Sequence, residues 1–295
     1  MLTSPLMQRA LVAAVLVGAT APVVGTFLVQ RRLALLGDGI GHIALTGVAT
    51  GWLVGALVGL TPADALALPG AMLVAVLGAV GIEWVRARGR ITGDVAMAIL
   101  FYGGIAGGVL LIKVAGGTSA NLMSYLFGSI ATVSTTDVGW TVALAGLVLA
   151  VGLGLRGALF AVSHDEEFAR ASGLPVGLLT SVLAALAALT VTVAMRVVGL
   201  LLVSALMIVP VATAQVVARS FARTMALASA IGAAVSVVGL VVTYWQDLPP
   251  GAVIVVLAIV VYAVTTAVQH RRHRPDPTVD PHPDLDDDVR VEQEA

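Results

Sequence analysis

The 295 residues of the chain are 59% hydrophobic and only 11% charged, with a formal net charge of −1 at pH 7. Soluble domains carry about 25% charged residues, so this composition excludes a soluble globular protein and indicates a polytopic helical membrane protein. The near-neutral charge gives no sign of nucleic-acid binding. The absence of cysteine excludes disulfides and thiolate metal sites.

Apolar runs long enough to span a bilayer, about 20 residues each, recur along the chain. They predict an all-α integral membrane protein with eight or nine transmembrane helices. A further apolar stretch, "NLMSYLFGSI" (121–130), is too short to span and predicts an interfacial or re-entrant helix, with Tyr125 and Phe127 at headgroup level. The candidate spans lie at 8–29, 40–60, 66–85, 94–114, 138–158, 174–194, 197–218, 225–245 and 251–269.

Arginines follow every odd-numbered run, whereas the loops after the even runs are poor in them. The positive-inside rule therefore predicts an N-terminus outside and a C-terminus in the cytoplasm. Arg196 is an exception at the outer end of the sixth run, where it snorkels or faces a water-filled cavity. The arginines after odd runs are Arg31, Arg32, Arg86, Arg88, Arg90, Arg156, Arg170, Arg219, Arg223, Arg271, Arg272 and Arg274.

The composition changes after the last apolar run, where proline and aspartate replace the aliphatic residues. Such a segment cannot bury enough apolar surface to fold. The sequence thus predicts a transmembrane domain over 1–269 and a disordered, acidic, histidine-containing cytoplasmic tail over 270–295.

Asp38 and His42 stand four residues apart near the start of the second run. Four residues of helix turn through about 400°, so both side chains lie on one face. One interpretation is a shared divalent-cation site. The other, which spacing alone favours slightly, is a local pair in which Asp38 orients His42.

Other chemistry is sparse in this sequence. Ser124 and Ser204 have no partnered base and are interpreted as helix-packing hydroxyls. The only lysine, Lys113, is followed by Val114, so no nucleotide-binding G-K-[ST] motif exists and the chain cannot be its own ATPase.

The stretch "SHDEEFARASGLPVG" (163–177) predicts a short amphipathic helix between the fifth and sixth spans. Ser163 is a candidate N-cap and Gly173 a candidate C-terminal glycine. Such a helix suits docking of a soluble partner, although any loop can hold a capped helix. The acidic residues that complement the helix dipole are Asp165, Glu166 and Glu167.

Four stretches, taken in order, resemble motifs of the ABC-3 permeases, the membrane subunits of ABC importers for zinc, manganese or iron. Order and spacing hold across residues of about 8 to 268. The stretches are "RRLALLGDGIGHIALTGVA" (31–49), "NLMSYLFGSI" (121–130), "DEEFARASGL" (165–174) and "VVGLLLVSALMIVPVATA" (197–214).

The resemblance implies a non-enzymatic, homodimeric, type II importer-like permease in the plasma membrane of a prokaryote. A solute-binding protein would deliver zinc, manganese or iron from outside, with no permanently bound cofactor. Asp38 and His42 would lie on the metal path. A separate ATPase dimer would dock on the cytoplasmic loops, chiefly through Asp165, Glu166, Glu167, Phe168, Ala169 and Gly173.

Two positions depart from the family pattern. Gly41 replaces the family serine before the histidine, and Thr46 replaces a proline four residues after it. Both departures are expected to loosen or re-angle the start of the second helix.

The alternative function is an ion-coupled secondary transporter of a small cation that works without an ATPase. Such carriers need intramembrane carboxylates for coupling, often on broken helices in two related halves. Asp38 is nearly the only buried acidic candidate, which disfavours this alternative.

Overall fold

Over the residues that it describes, the computed structural model contains helices and no strands. Most of the predicted tail lies outside them. The described residues are 4–61, 63–89, 93–116, 123, 125–128, 133–196, 198–246 and 248–272.

Eleven α-helices have defined bounds in this part of the chain, and a short 3-10 helix, Ala63–Leu66, precedes the third. The α-helices are α1 Pro5–Gln30, α2 Leu36–Val58, α3 Ala67–Ala87, α4 Gly93–Val114, α5 Thr135–Gly154, α6 Arg156–His164, α7 Glu166–Ala171, α8 Val176–Ala194, α9 Leu200–Val217, α10 Phe221–Trp245 and α11 Pro250–Arg272.

Eight of these helices are long and apolar enough to cross a membrane, which confirms the predicted fold class. The remaining apolar run, the seventh in chain order, forms α9, an 18-residue helix that contains Pro210. The fifth run is shorter than predicted, because α5 ends at Gly154 and Leu155 separates it from α6. The last helix continues three residues beyond the expected domain boundary, to Arg272.

The predicted re-entrant stretch is described only at Met123 and 125–128, where Met123 and Tyr125–Phe127 are helical. Tyr125 is buried within the protein, and its level relative to the lipid headgroups stays a prediction. Its hydroxyl accepts a hydrogen bond from Arg196, which explains its buried position.

α2 packs between α3 and α4, and α1 packs against α10, α5 and α9. α1 and α8 are the most buried spans, whereas α3, α4 and α11 keep broad outward apolar faces. Close glycine contacts join α2 to its neighbours, as expected where packing rather than the hydrophobic effect holds helices together. A Cβ at Gly47 would lie 2.6 Å from the Gly70 oxygen of α3, for example.

The turns that follow α1, α6 and α9 meet at one end of the bundle. Arg31 after α1 contacts Glu166 of α7 at 3.4 Å. Phe221, at the start of α10, packs its ring 5.4 Å from Phe27 and 4.7 Å from Phe160. We call this end of the bundle the basic end, because arginines lie in or next to these turns. The position of these arginines at one end agrees with their placement after the odd-numbered apolar runs. The side of the membrane that this end faces stays a prediction.

Candidate functional site

Asp38 and His42 lie on consecutive turns of α2, close to the basic end. The Asp38 Oδ2 and the His42 Nε2 are 3.9 Å apart, too far for a hydrogen bond. α2 is unbroken from Leu36 to Val58, so the predicted common face is present and neither departure from the family pattern interrupts it. Thr46 instead donates a hydrogen bond of 2.8 Å to the Gly104 carbonyl of α4.

The His42 ring is held in a buried position. The residue is only 4% exposed, and its ring packs edge-on against Phe101 of α4, with centroids 4.2 Å apart. Among the described residues its Nδ1 has no hydrogen-bond partner. A buried, unpaired polar atom destabilises the fold, so this histidine is poorly explained by stability alone.

Asp38 faces more open space than its neighbour. About a third of its side chain is exposed, 31%, at a cavity of 410 Å³ between α2 and α4. On its other side Ser204 of α9 donates a hydrogen bond of 3.2 Å to the Asp38 Oδ1. Ser204 is therefore not a serine without a partner, and its hydroxyl connects α9 to α2, as a helix-packing hydroxyl can. The cavity is lined by Leu35, Asp38, Gly39, Met97, Ala98, Phe101 and Tyr102.

The spacing of the pair permits one ion to contact both side chains. Metal–nitrogen and metal–oxygen bonds to zinc sum to about 4.1 Å, so across the present 3.9 Å one ion reaches both atoms only at an angle wider than tetrahedral, and a tetrahedral site would require the Asp38 carboxylate to lie closer to His42. Within the described residues no cluster of three or more His, Asp or Glu side chains is formed. Two side chains are fewer than the four or more ligands that a transition metal requires.

The expected amphipathic helix is α7, but its N-cap is Asp165 and not Ser163. The Asp165 Oδ1 accepts a hydrogen bond of 2.9 Å from the Phe168 N–H, while Ser163 lies inside α6. A carboxylate at this position satisfies an orphan N–H and also complements the helix dipole.

The C-terminus of α7 is capped as well. Gly173 adopts the left-handed conformation, with φ 79°. Its N–H bonds to the Arg170 oxygen and that of Leu174 to the Ala169 oxygen, the pattern of a Schellman motif. Phe168 projects from α7 with 65% of its surface exposed, whereas Ala169 is fully buried.

Two side-chain contacts tie the end of α1 to the region of α7. Arg31, whose side chain is only 6% exposed, pairs with Glu166 at 3.4 Å. Gln30 contacts the His164 Nδ1 at 3.0 Å. Glu166 also pairs with Arg170 within α7, at 3.1 Å.

The opposite end of the bundle holds a polar cluster that sequence reasoning missed. The Arg196 Nε is 3.2 Å from the Asp137 Oδ1, and its Nη1 donates to the Tyr125 hydroxyl at 3.1 Å. Asp137 also closes a capping box with Ser134 at the start of α5. Burial raises the pKa of Tyr125, so its hydroxyl stays neutral. Arg196 therefore joins α5 to the 125–128 segment instead of snorkelling.

Comparisons with known proteins agree with this architecture. The model of the ABC 3 transport family matches residues 3–269. The chain is 33% identical over 258 residues to the manganese transport system membrane protein MntC of Halalkalibacterium halodurans, covering 88% of this chain and 85% of that protein. It is 30% identical over 266 residues to the chelated iron transport system membrane protein YfeD of Yersinia pestis, covering 90% and 86%.

A solved structure is similar over the same length. PsaBC from Streptococcus pneumoniae in complex with Fab matches with a TM-score of 0.78 and 32% sequence identity, covering 90% of this chain and 92% of that chain. These matches confirm the resemblance drawn from the four motifs. They also identify the chain as a transport component of the plasma membrane rather than an enzyme. The chain belongs to the ABC 3 transport family, as a multi-pass membrane permease.

Proposed function

We propose that the chain is the permease subunit of an ATP-driven importer of a divalent transition metal ion. Relatives named for manganese and for chelated iron support these two ions as cargo, and zinc uses the same ligand types. The observation that carries the proposal is the Asp38–His42 pair, 3.9 Å apart on one face of α2 beside an open cavity. Carboxylate and imidazole together suit ions of this class.

In this proposal two copies of the chain share the path. Each protomer contributes one carboxylate and one imidazole, so a pair of protomers contributes four ligands. Among the described residues α4, which lines the Asp38 cavity, packs almost entirely on α2, and its other apolar face is directed outward. A weak, transient site of this kind lets the ion enter and leave, as conduction requires.

The remaining partners are an ATPase dimer at the basic end and a solute-binding protein at the opposite end. For the ATPase, α7 offers a short helix with its ends closed and Phe168 exposed as an apolar anchor. The residues of the predicted docking set have three different positions in this helix. The set is Asp165, Glu166, Glu167, Phe168, Ala169 and Gly173. Asp165 and Gly173 close the helix, Ala169 packs inward, and Glu166, Glu167 and Phe168 are on its accessible side.

The test is metal uptake by the complete transporter in vesicles, comparing the wild-type chain with the double variant Asp38→Asn/His42→Gln. Both replacements keep the side-chain size and remove the metal-binding charge or imidazole. We expect manganese uptake to fall to background, because the path loses its ligands, while co-purification with the ATPase is retained. Normal uptake by the double variant would contradict the role of the pair.

A matched control is Asp64→Asn, which removes an exposed carboxylate in the 3-10 helix, far from α2's N-terminus. Its uptake is expected to equal that of the wild type. The same vesicles discriminate against the secondary-transporter alternative. Metal uptake by the purified chain without ATPase and ATP would favour that carrier and refute the importer.

A further inference from the structure

The contacts between α1 and the α7 region bring the proposed docking helix close to the proposed metal ligands. Gln30 and Arg31 are consecutive residues at the end of α1, and they contact His164 and Glu166, which flank and begin α7. We call these two contacts the α1–α7 clamp. Its partners are more than 130 residues apart in the chain, so the clamp is a tertiary connection between the end of α1 and the α6–α7 junction.

The turn that follows the clamp is short and closed by hydrogen bonds. Only residues 31–35 separate α1 from α2. The Arg32 N–H bonds to the Val29 oxygen at 3.0 Å and the Leu33 N–H to the Leu28 oxygen at 2.9 Å, while Leu36 bonds back to Leu33. Arg32 adopts φ 58°, as the residue after a helix does in a Schellman motif.

Such a turn transmits displacement instead of absorbing it. Flexible connections absorb motion through free dihedrals, whereas the dihedrals here are fixed by the backbone hydrogen bonds. Asp38 lies in the first turn of α2, immediately beyond this connection. A shift of α7 that carries Arg31 with it must therefore also move or tilt the start of α2.

We propose that the α1–α7 clamp, with Arg31 as its central positioning residue, transmits the movement of the docked ATPase to Asp38 and His42. This inference rests on the proposed function, because it requires an ATPase partner on α7. In the transport cycle α7, the end of α1 and the turn to α2 move as one body. The clamp thus couples ATP hydrolysis to the geometry of the metal ligands without itself touching metal.

The test is the number of manganese ions taken up per ATP hydrolysed by the whole transporter in vesicles. Arg31→Glu places two carboxylates in contact and breaks the clamp from the side away from the docking surface. We expect this ratio to fall at least about fivefold, a typical coupling between sites, with ATPase co-purification unchanged. Arg31→Lys keeps a positive charge opposite Glu166 without altering α7, and it is expected to keep the ratio within about twofold of the wild type.

Arg156→Glu is the matched control, because it reverses an exposed arginine of the same end that lies at the start of α6. It is expected to leave the ratio unchanged. An unchanged ratio in Arg31→Glu, or an equal fall of the ratio in Arg31→Lys, overturns the inference. A wild-type transporter that takes up no metal would refute the proposed function instead.

A second measurement does not depend on charge. The chain has no cysteine, so Gln30→Cys/His164→Cys can be joined by a short bifunctional thiol reagent and compared with the same variant before joining. If the clamp moves as one body, joining it leaves uptake unchanged. Loss of uptake on joining would show that the ends of α1 and α6 separate during transport, which contradicts the proposal.

Discussion

Ser204 is the only described side chain that donates a hydrogen bond to Asp38, across from the His42 side. Its hydroxyl fixes one carboxylate oxygen and leaves the other facing His42. A hydrogen bond to a metal-ligating group typically changes metal affinity by about 10–100-fold. Ser204 is therefore expected to set how well the proposed site binds its ion.

Ser204→Ala is expected to raise the KM for manganese uptake about tenfold with little change in the maximal rate. Ser204→Thr retains the hydroxyl and is expected to stay close to the wild-type KM. Uptake kinetics over a range of manganese concentrations provide the measurement. If alanine leaves KM unchanged, or if threonine raises it as much as alanine does, the hydroxyl has no role in positioning Asp38.

The residue contacts that could be predicted are those within one helical turn. The Asp38–His42 face followed from helix geometry, since both residues belong to one helix. The Ser204 contact joins residues 166 positions apart, and the Arg196–Asp137 contact joins residues 59 positions apart. No local pattern encodes either contact, because each depends on which helices become neighbours.

At the scale of elements, α4 meets α2 through a glycine at the level of His42. A Cβ at Gly104 would overlap the His42 carbonyl carbon and lie 2.5 Å from the Ile43 nitrogen, whereas a Cβ at the adjacent Gly103 would meet nothing within 4 Å. The two neighbouring glycines thus form a matched pair. Gly104 permits the contact between the backbones of α4 and α2, whereas Gly103 takes no part in this contact.

Gly104→Ala is expected to destabilise the chain by about 1–3 kcal/mol, because the added methyl group has no space between the two backbones. Gly103→Ala is expected to be neutral or slightly stabilising, since alanine is the better helix former. Thermal unfolding in detergent measures both variants. Equal melting temperatures for the two variants would show that the α2–α4 contact can relax without cost.

Helix existence was predictable but helix ends were not. The apolar runs are continuous, so their length alone indicates a span. The end of α5 and the cap of α7 depend instead on competition between local signals. Ser163 and Asp165 are both acceptable N-caps, and Asp165 prevails because α6 continues through His164 and occupies Ser163.

At the scale of the whole molecule, the basic end is expected to face the cytoplasm. The prediction rests on arginine placement, and the meeting of the turns after α1, α6 and α9 at one end makes it testable with two probes. Ser172→Cys labels the basic end at an exposed position after α7. Ala65→Cys labels the opposite end, at an exposed position before α3.

In intact cells a membrane-impermeant thiol reagent is expected to modify Ala65→Cys and to spare Ser172→Cys until the cells are opened. The cysteine-free wild type provides the background. The reverse labelling pattern would invert the predicted topology and would place α7 on the side where ATP is absent.

The closed ends of α7 have a consequence for the kinetics of assembly. A six-residue helix is far below the length at which helices persist alone in water, yet the Asp165 cap and the Gly173 turn hold this one in the free chain. A partner that binds it does not have to order it first, which would otherwise cost about 1–2 kcal/mol for each backbone residue fixed. The rate at which the chain associates with the ATPase should therefore be set by diffusion and by electrostatic steering, and not by folding of α7 upon binding.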